Sequence, residues 1–226
     1  MSKPLLIIGN KNYSSWSLRP WLAMRVAGIA FEEKLVPLFE DDWAERKAEL
    51  PSGTVPVLMH DGNVIWETLA ILEYVAEVWP DANLWPSDRA ARTRARVISS
   101  EMHAGFTNVR GAMPMNIRCS FPGRGQHDGV AQDIARIETI WTDCRKAYGQ
   151  DGDFLFGAFS NADAMFAPIV SRFTTYDVKV NDTCRAYMDA VQNLSALREW
   201  SDAGRAEPWV IDGDEIDFVE GQSSPE

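Results

Sequence analysis

The chain has 226 residues, 46% of them hydrophobic and 24% charged, which excludes a mainly disordered polypeptide and leaves material for one large or two compact domains. Against 22 Lys and Arg stand 33 Asp and Glu, a formal charge of −11; nucleic acid or an anionic membrane is not expected as main partner, because phosphate neutralisation needs clustered cations. Cys119, Cys144 and Cys184 are too scattered for a disulfide framework or a CxxC pair, and Leu5 to Ile8 is too short an apolar run for a signal peptide or membrane span, so a cytoplasmic location is the default expectation.

Lys3 to Ile8 reads as a buried strand closed by Gly9-Asn10. Trp16, Pro20, Ala23, Met24 and Ala27 recur at helical spacing, so a helix begins near Ser15 and stops at Gly28. Lys34 to Leu38 is a second strand, Asp41 to Leu50 a short charged helix, and Pro51-Ser52-Gly53 a turn. Pro56 to Met59 and Asn63 to Trp66 flank Asp61-Gly62 as a hairpin. Glu67 to Val78 is an amphipathic helix ended by Pro80. That order predicts a small α/β domain over residues 1–80. After a linker at 81–86 the strand signals vanish, and helices over 87–112, 128–148, 161–175, 182–193 and 195–205 predict an all-helical domain over 87–226. The expected fold class is therefore α/β plus all-α. From Glu199 to Glu226 nine acids face one base, a charge of −8 that reads as a solvated acidic tail.

There is no GxGxxG, Walker loop, HExxH or GxSxG. His60, His103 and His127 are isolated, so no metal site is expected. Four motifs remain. Tyr13-Ser14-Ser15-Trp16-Ser17 falls where the first strand gives way to a helix. Its hydroxyls either cap the backbone or donate to an anion held by the helix N-terminus. Val55-Pro56 is either a plain strand start or a cis-proline that frees the main chain of Val55 to pair with a peptide-like ligand. Glu67-Thr68 opens a helix, where an acid and a hydroxyl serve as caps or hold a ligand's amino and carboxylate groups together. Ser160-Asn161-Ala162-Asp163 is a capping-box pattern before the apolar helix Ala164 to Phe173.

In this order and spacing, Ser14-Ser15-Trp16-Ser17, Thr54-Val55-Pro56-Val57-Leu58, Glu67-Thr68-Leu69-Ala70-Ile71 and Ser160 to Asp163 resemble the cytosolic glutathione transferases over roughly residues 3–205. The resemblance implies a thioredoxin-like domain that binds glutathione as co-substrate, with no other cofactor. A C-terminal helical bundle would shape a pocket for a small hydrophobic electrophile. It also implies that Val55 holds the cysteinyl main chain before a cis-Pro56, and that Glu67 and Thr68 take the γ-glutamyl end. A hydroxyl at the first strand–helix junction would stabilise the thiolate. Ser14 is the expected one, because the serine pair followed by Ser17 and Arg19 looks like the zeta-type pattern; Ser15 and Tyr13 are the alternatives. Trp16 stands where that pattern has a cysteine, and Pro20-Trp21 replace smaller or β-branched residues. Maleylacetoacetate-type isomerisation and peroxidase chemistry are therefore alternatives to transfer, and a non-catalytic binding module is a third. Homodimers are the family's common state.

The sulfur chemistry sets the energetic requirement. A free thiol of pKa ~8.5 is a few per cent thiolate near neutral pH. Each unit of depression takes about 1.4 kcal/mol. One hydroxyl bond to a charged acceptor supplies about 1.5–3 kcal/mol and a helix terminus ~0.3–1 more, so no protein base is needed. Met102, His103, Phe106 and Arg110 are the expected second-substrate pocket. Pro86 to Arg118 carries six arginines against Asp88 and Glu101; an anionic co-substrate is one reading, and pairing with an acidic surface is the simpler.

Overall fold

The apolar run Leu5–Ile8 forms β1, the inner strand of a four-stranded sheet ordered β2-β1-β3-β4, with β2 at Glu32–Leu35, β3 at Val57–His60 and β4 at Asn63–Trp66. The structure is a computed structural model that describes residues 2–216. β1 and β2 are parallel, joined through helix α1 (Ser15–Val26), whereas β1–β3 and β3–β4 are antiparallel. Side chains alternate across a strand, and β1 uses both faces. Leu6 and Ile8 enter the main core with Leu18 and Leu22 of α1 and Ile71, Leu72 and Val75 of α3 (Thr68–Val78). Ile7 turns the other way, against Val36, Leu50 and Val57, with Trp43 of α2 (Trp43–Glu49) packed beside them. The Glu-Glu-Lys of β2 leaves its edge charged and exposed, which discourages further strand pairing.

Six of the nine described α-helices follow α3: α4 (Arg89–Ala104), α5 (Thr107–Ala112), α6 (Asp128–Tyr148), α7 (Asn161–Thr175), α8 (Asp182–Gln192) and α9 (Ser195–Ala206) build the remainder. The architecture is α/β followed by all-α. Thirteen of the fifteen residues of α7 are buried, and it packs on both α1 and α4. Its start is a capping box: Ser160 donates to Asp163 Oδ2 from its N–H at 2.8 Å and from its hydroxyl at 2.9 Å, while Oδ1 accepts the Leu155 N–H at 3.0 Å. Burial outweighs these donors and pushes the Asp163 carboxyl up to about 6.

Three expectations are corrected. The second strand lies at Glu32–Leu35 rather than at 34–38, because its register pairs Leu5 with Glu32 through Ile8 with Leu35; Val36 N–H closes on the Ile8 carbonyl, and Pro37 has no N–H to continue. The single helix expected over 87–112 is two. Gly105 caps α4 at a point where a Cβ would meet the Glu101 carbonyl oxygen at 2.8 Å, and Phe106 follows in the left-handed region at φ 57°. The acidic segment after Glu199 is not simply solvated. Glu207 is buried and accepts the N–H groups of Lys11 at 2.7 Å and Asn12 at 3.0 Å, and Glu215 accepts the Tyr13 hydroxyl at 2.5 Å. The acids Asp217, Glu220 and Glu226 of that segment lie outside the described residues.

Candidate active site

The chain leaves β1 through a turn in which the N–H groups of Tyr13 and Ser14 both close on the Asn10 carbonyl and that of Ser15 on the Tyr13 carbonyl. Ser14 is the N-cap of α1 and buried. Its hydroxyl donates to Ser17 Oγ at 2.8 Å and accepts the Ser17 N–H at 3.4 Å, and Ser17 Oγ in turn accepts the Gly9 N–H at 3.1 Å. The Trp16 N–H has no partner among the described residues, leaving a first-turn donor at the positive end of the helix dipole. Pro20, four residues on, cannot donate to the Trp16 carbonyl; the Thr68 hydroxyl does so instead, at 3.1 Å. Pro20 thus opens the acceptor that ties α1 to the start of α3.

The two rival hydroxyls have different surroundings. Tyr13 is buried, donates to Glu215 and accepts from Arg118 Nη2 at 2.9 Å. Desolvation, followed by the bond to Glu215, raises its phenol above the ordinary range. Ser15 is half-buried, and its hydroxyl oxygen accepts from Arg172 Nη2 at 3.4 Å.

The Val55-Pro56 peptide is cis, and Val55 precedes the β3 ladder with no main-chain hydrogen bond among the described residues. Glu67 is the N-cap of α3 at φ 69° and makes no capping bond with its side chain. Holding a non-glycine residue there costs on the order of 1–3 kcal/mol, and such outliers gather where a site needs them. Thr68 is buried with its hydroxyl hydrogen committed to Trp16, so neither side chain serves as the local cap that the sequence left open.

Of the four expected pocket residues, two reach Trp16. The His103 ring meets the Trp16 ring edge-on at 5.2 Å, with Nε2 3.7 Å from the Glu67 carboxylate, and the Arg110 guanidinium carbon lies 4.9 Å from the Trp16 ring centre. Met102 is fully enclosed and Phe106 is buried, and both pack in the main core. Two arginines join this group: Arg19, which the sequence noted only as part of the serine-type pattern, and Arg172, which it did not mark out. Arg19 lies 4.3 Å over Trp16 and donates from Nε to the Met165 carbonyl, and Arg172 donates from Nε to the Met113 carbonyl. Burial, then the facing Arg172 and Arg110, hold Arg19 well below the usual arginine range; burial, then Arg110, lowers Arg172 to about 10. Nothing local could have flagged Arg172, since its aim depends on how α7 lies against α1. The surface pairing expected of the Pro86 to Arg118 arginines holds for Arg96, bidentate on Glu73, and for Arg118, which faces Glu215; Arg110 instead donates to the His103 and Gly105 carbonyls and has no ion pair among the described residues. A groove of about 460 Å³ between α7, α8 and α9 contains none of these residues.

Comparison with known proteins places this arrangement. The glutathione S-transferase N-terminal domain family matches residues 13–78. A probable maleylacetoacetate isomerase of Caenorhabditis elegans is 36% identical over 61% of this chain and 66% of its own length. The probable glutathione S-transferase parA of Nicotiana tabacum is 36% identical over 76% of this chain and 75% of its own. Among solved structures, a glutathione transferase homologue from Burkholderia with bound glutathione has a TM-score of 0.69 at 19% identity, over 91% of this chain and 100% of that one. Over its leading curated matches the chain spans about half to two thirds of the relative's length. The chain belongs to the glutathione S-transferase family.

Proposed function

We propose that the chain is a glutathione transferase that binds glutathione at the first strand–helix junction and directs its thiolate at a small electrophile. The observation that supports it most is the Ser14–Ser17 hydroxyl pair at the N-terminus of α1. A thiolate takes the Ser14 hydrogen, and Ser17, already holding the Gly9 N–H, turns its own hydrogen to Ser14. The donor is therefore supported at the moment it is used. With the helix terminus, this supplies about 2–4 kcal/mol to the anion, enough to lower the thiol by one to two units. Val55 offers its main chain to the cysteinyl residue, and Glu67 with the N-terminus of α3 offers opposite charges to the γ-glutamyl end. The sulfur–carbon bond then forms on the electrophile with loss of its leaving group or addition across its double bond. His103 and Arg110 border the second substrate, while Met102 and Phe106 support them from the core.

An isomerase reading rests on the likeness to the Caenorhabditis elegans protein, and Trp16 in the cysteine position of the zeta-type pattern stands against it. Exposed Met59, Val64 and Trp66 on the β3–β4 hairpin and Val97 on α4 supply apolar surface for a homodimer; a monomer in sedimentation at micromolar concentration sinks that part of the proposal. Ultraviolet difference titration of bound glutathione tests the whole. The thiol is expected to ionise one to two units below its free value, and Ser14→Ala is expected to reverse at least half of that. Binding with an unshifted thiol, or no binding, overturns the reading.

A further inference from the structure

Lys11 lies three residues before Ser14, and its main chain and side chain all reach beyond the turn that carries them. Its N–H donates to Glu207 Oε1 at 2.7 Å, its carbonyl accepts from Trp200 Nε1 of α9 at 2.8 Å, and Nζ pairs with Glu33 of β2 at 2.7 Å. The ammonium stands over the rings of Trp21 and Trp200, 5.3 Å and 5.6 Å from their centres, and the side chain is 12% exposed. Trp21 Nε1 donates to the other Glu33 oxygen at 2.6 Å, and the two indoles meet edge-on at 5.1 Å. An ammonium enclosed in this way gives up hydration, which the acid and the two rings offset.

The charges around the turn explain why a cation is kept there. Glu33 and Glu207 lie against Lys11, and Glu215 accepts the hydroxyl of Tyr13, the neighbour of Ser14. Arg118 faces Glu215. Burial raises the Glu207 carboxyl, and the Lys11 and Asn12 N–H groups, then the charges of Lys11 and Arg118, oppose that rise. These three carboxylates against two cations leave −1, and would leave −2 without Lys11. Carboxylates disfavour a second anion nearby, and the thiolate proposed at Ser14 is such an anion. Glu207 is the acceptor for two N–H groups of the turn and Glu33 the acceptor for Trp21, so the fold keeps both acids and offsets their charge. We propose that Lys11 is a positioning residue for the thiolate: its ammonium balances Glu33 and Glu207, so that a turn held by acids can still present Ser14 to an anion. This rests on the reading of the site as a glutathione transferase and adds to it a residue that acts through the turn rather than on glutathione.

The test is a charge cycle read by ultraviolet titration of bound glutathione. Lys11→Met keeps a stem between the indoles and removes the charge. It is expected to raise the ionisation midpoint of the bound thiol by about half a unit, roughly a threefold loss of thiolate below the midpoint. Adding Glu33→Gln is expected to remove about two thirds of that rise, because the cluster regains its original charge although the tether stays broken. Lys11→Arg keeps the charge and is expected to match the wild type. An unchanged midpoint in Lys11→Met, or a rise that Glu33→Gln leaves in place, overturns the proposal and makes Lys11 a tether alone. Glu33→Gln by itself leaves Lys11 intact and decides the matter even where Lys11→Met does not fold. It is expected to move the midpoint below that of the wild type, and a midpoint that stays or rises overturns the proposal. The wild type separates this from the reading beneath it. Glutathione that fails to bind, or binds with an unshifted thiol, ends the transferase reading and this proposal with it, whereas a shifted thiol indifferent to these variants ends this proposal alone.

Discussion

Thr68 shows how one side chain beside the proposed γ-glutamyl end is committed to structure. Its hydroxyl hydrogen goes to a carbonyl that is free only because Pro20 cannot claim it, so two residues 48 positions apart form one device. Thr68→Val keeps the shape and removes the donor, leaving a partly buried carbonyl unsatisfied at a cost of about 1–3 kcal/mol. Pro20→Ala restores a backbone donor to the same carbonyl. The cost of Thr68→Val, read from urea denaturation, is therefore expected to shrink by about half or more when Pro20→Ala is present. Equal costs in both backgrounds would show that the α1–α3 link is not made through Trp16.

At the scale of elements, the start of α7 carries the clearest pH signature. Asp163 is fully buried, and its carboxyl is pushed up to about 6 by desolvation, above an unfolded value near ~3.9. Between these values the folded chain binds the extra proton, so this group's contribution to stability falls as pH rises from about 4 to about 6 and stays low above that. Asp163→Asn has no such proton to bind. It is expected to destabilise at every pH by losing the capping box, and by more at pH 4.5 than at pH 7, with the difference on the order of 2 kcal/mol. Denaturant midpoints at the two pH values measure this, and an equal penalty at both would mean that Asp163 titrates normally.

The same element shows which parts of the fold the sequence makes legible. The capping box can be read because its four residues are neighbours in the chain, and the cis bond at Val55-Pro56 and the start of α3 at Glu67-Thr68 because they sit at local strand and helix boundaries. The β2 limits escape such reading because the partner strand sets them through the register of Leu5 with Glu32. The break at Gly105 hides inside continuous helical periodicity. Arg172 lies within α7, and only the crossing of α7 on α1 turns it toward Ser15. Local chemistry is written in local sequence, whereas convergence is a property of packing.

For the molecule as a whole, the segment after α9 decides how the junction is enclosed. Glu207 accepts two N–H groups of the turn after β1, Arg118 reaches the Glu207 and Trp209 carbonyls, and Tyr13 joins Arg118 to Glu215. Gly204 of α9 lies so close to this turn that a Cβ there would meet Asn12 N at 3.0 Å. The charge that looks like solvation in the sequence is, at these positions, a set of acceptors for a loop that has few of its own. This separates the adjacent residues: Tyr13 holds the C-terminal segment, and Ser14 is left for the proposed thiolate. Tyr13→Phe removes only the hydroxyl. It is expected to leave the thiol shift of bound glutathione within about a third of a unit of the wild type and to speed amide exchange across residues 209–216 by about tenfold, since a bond to a charged acceptor is worth about 1.5–3 kcal/mol. The reverse pattern, a lost thiol shift with unchanged exchange, would make Tyr13 the thiolate donor and leave Ser14 as a plain helix cap.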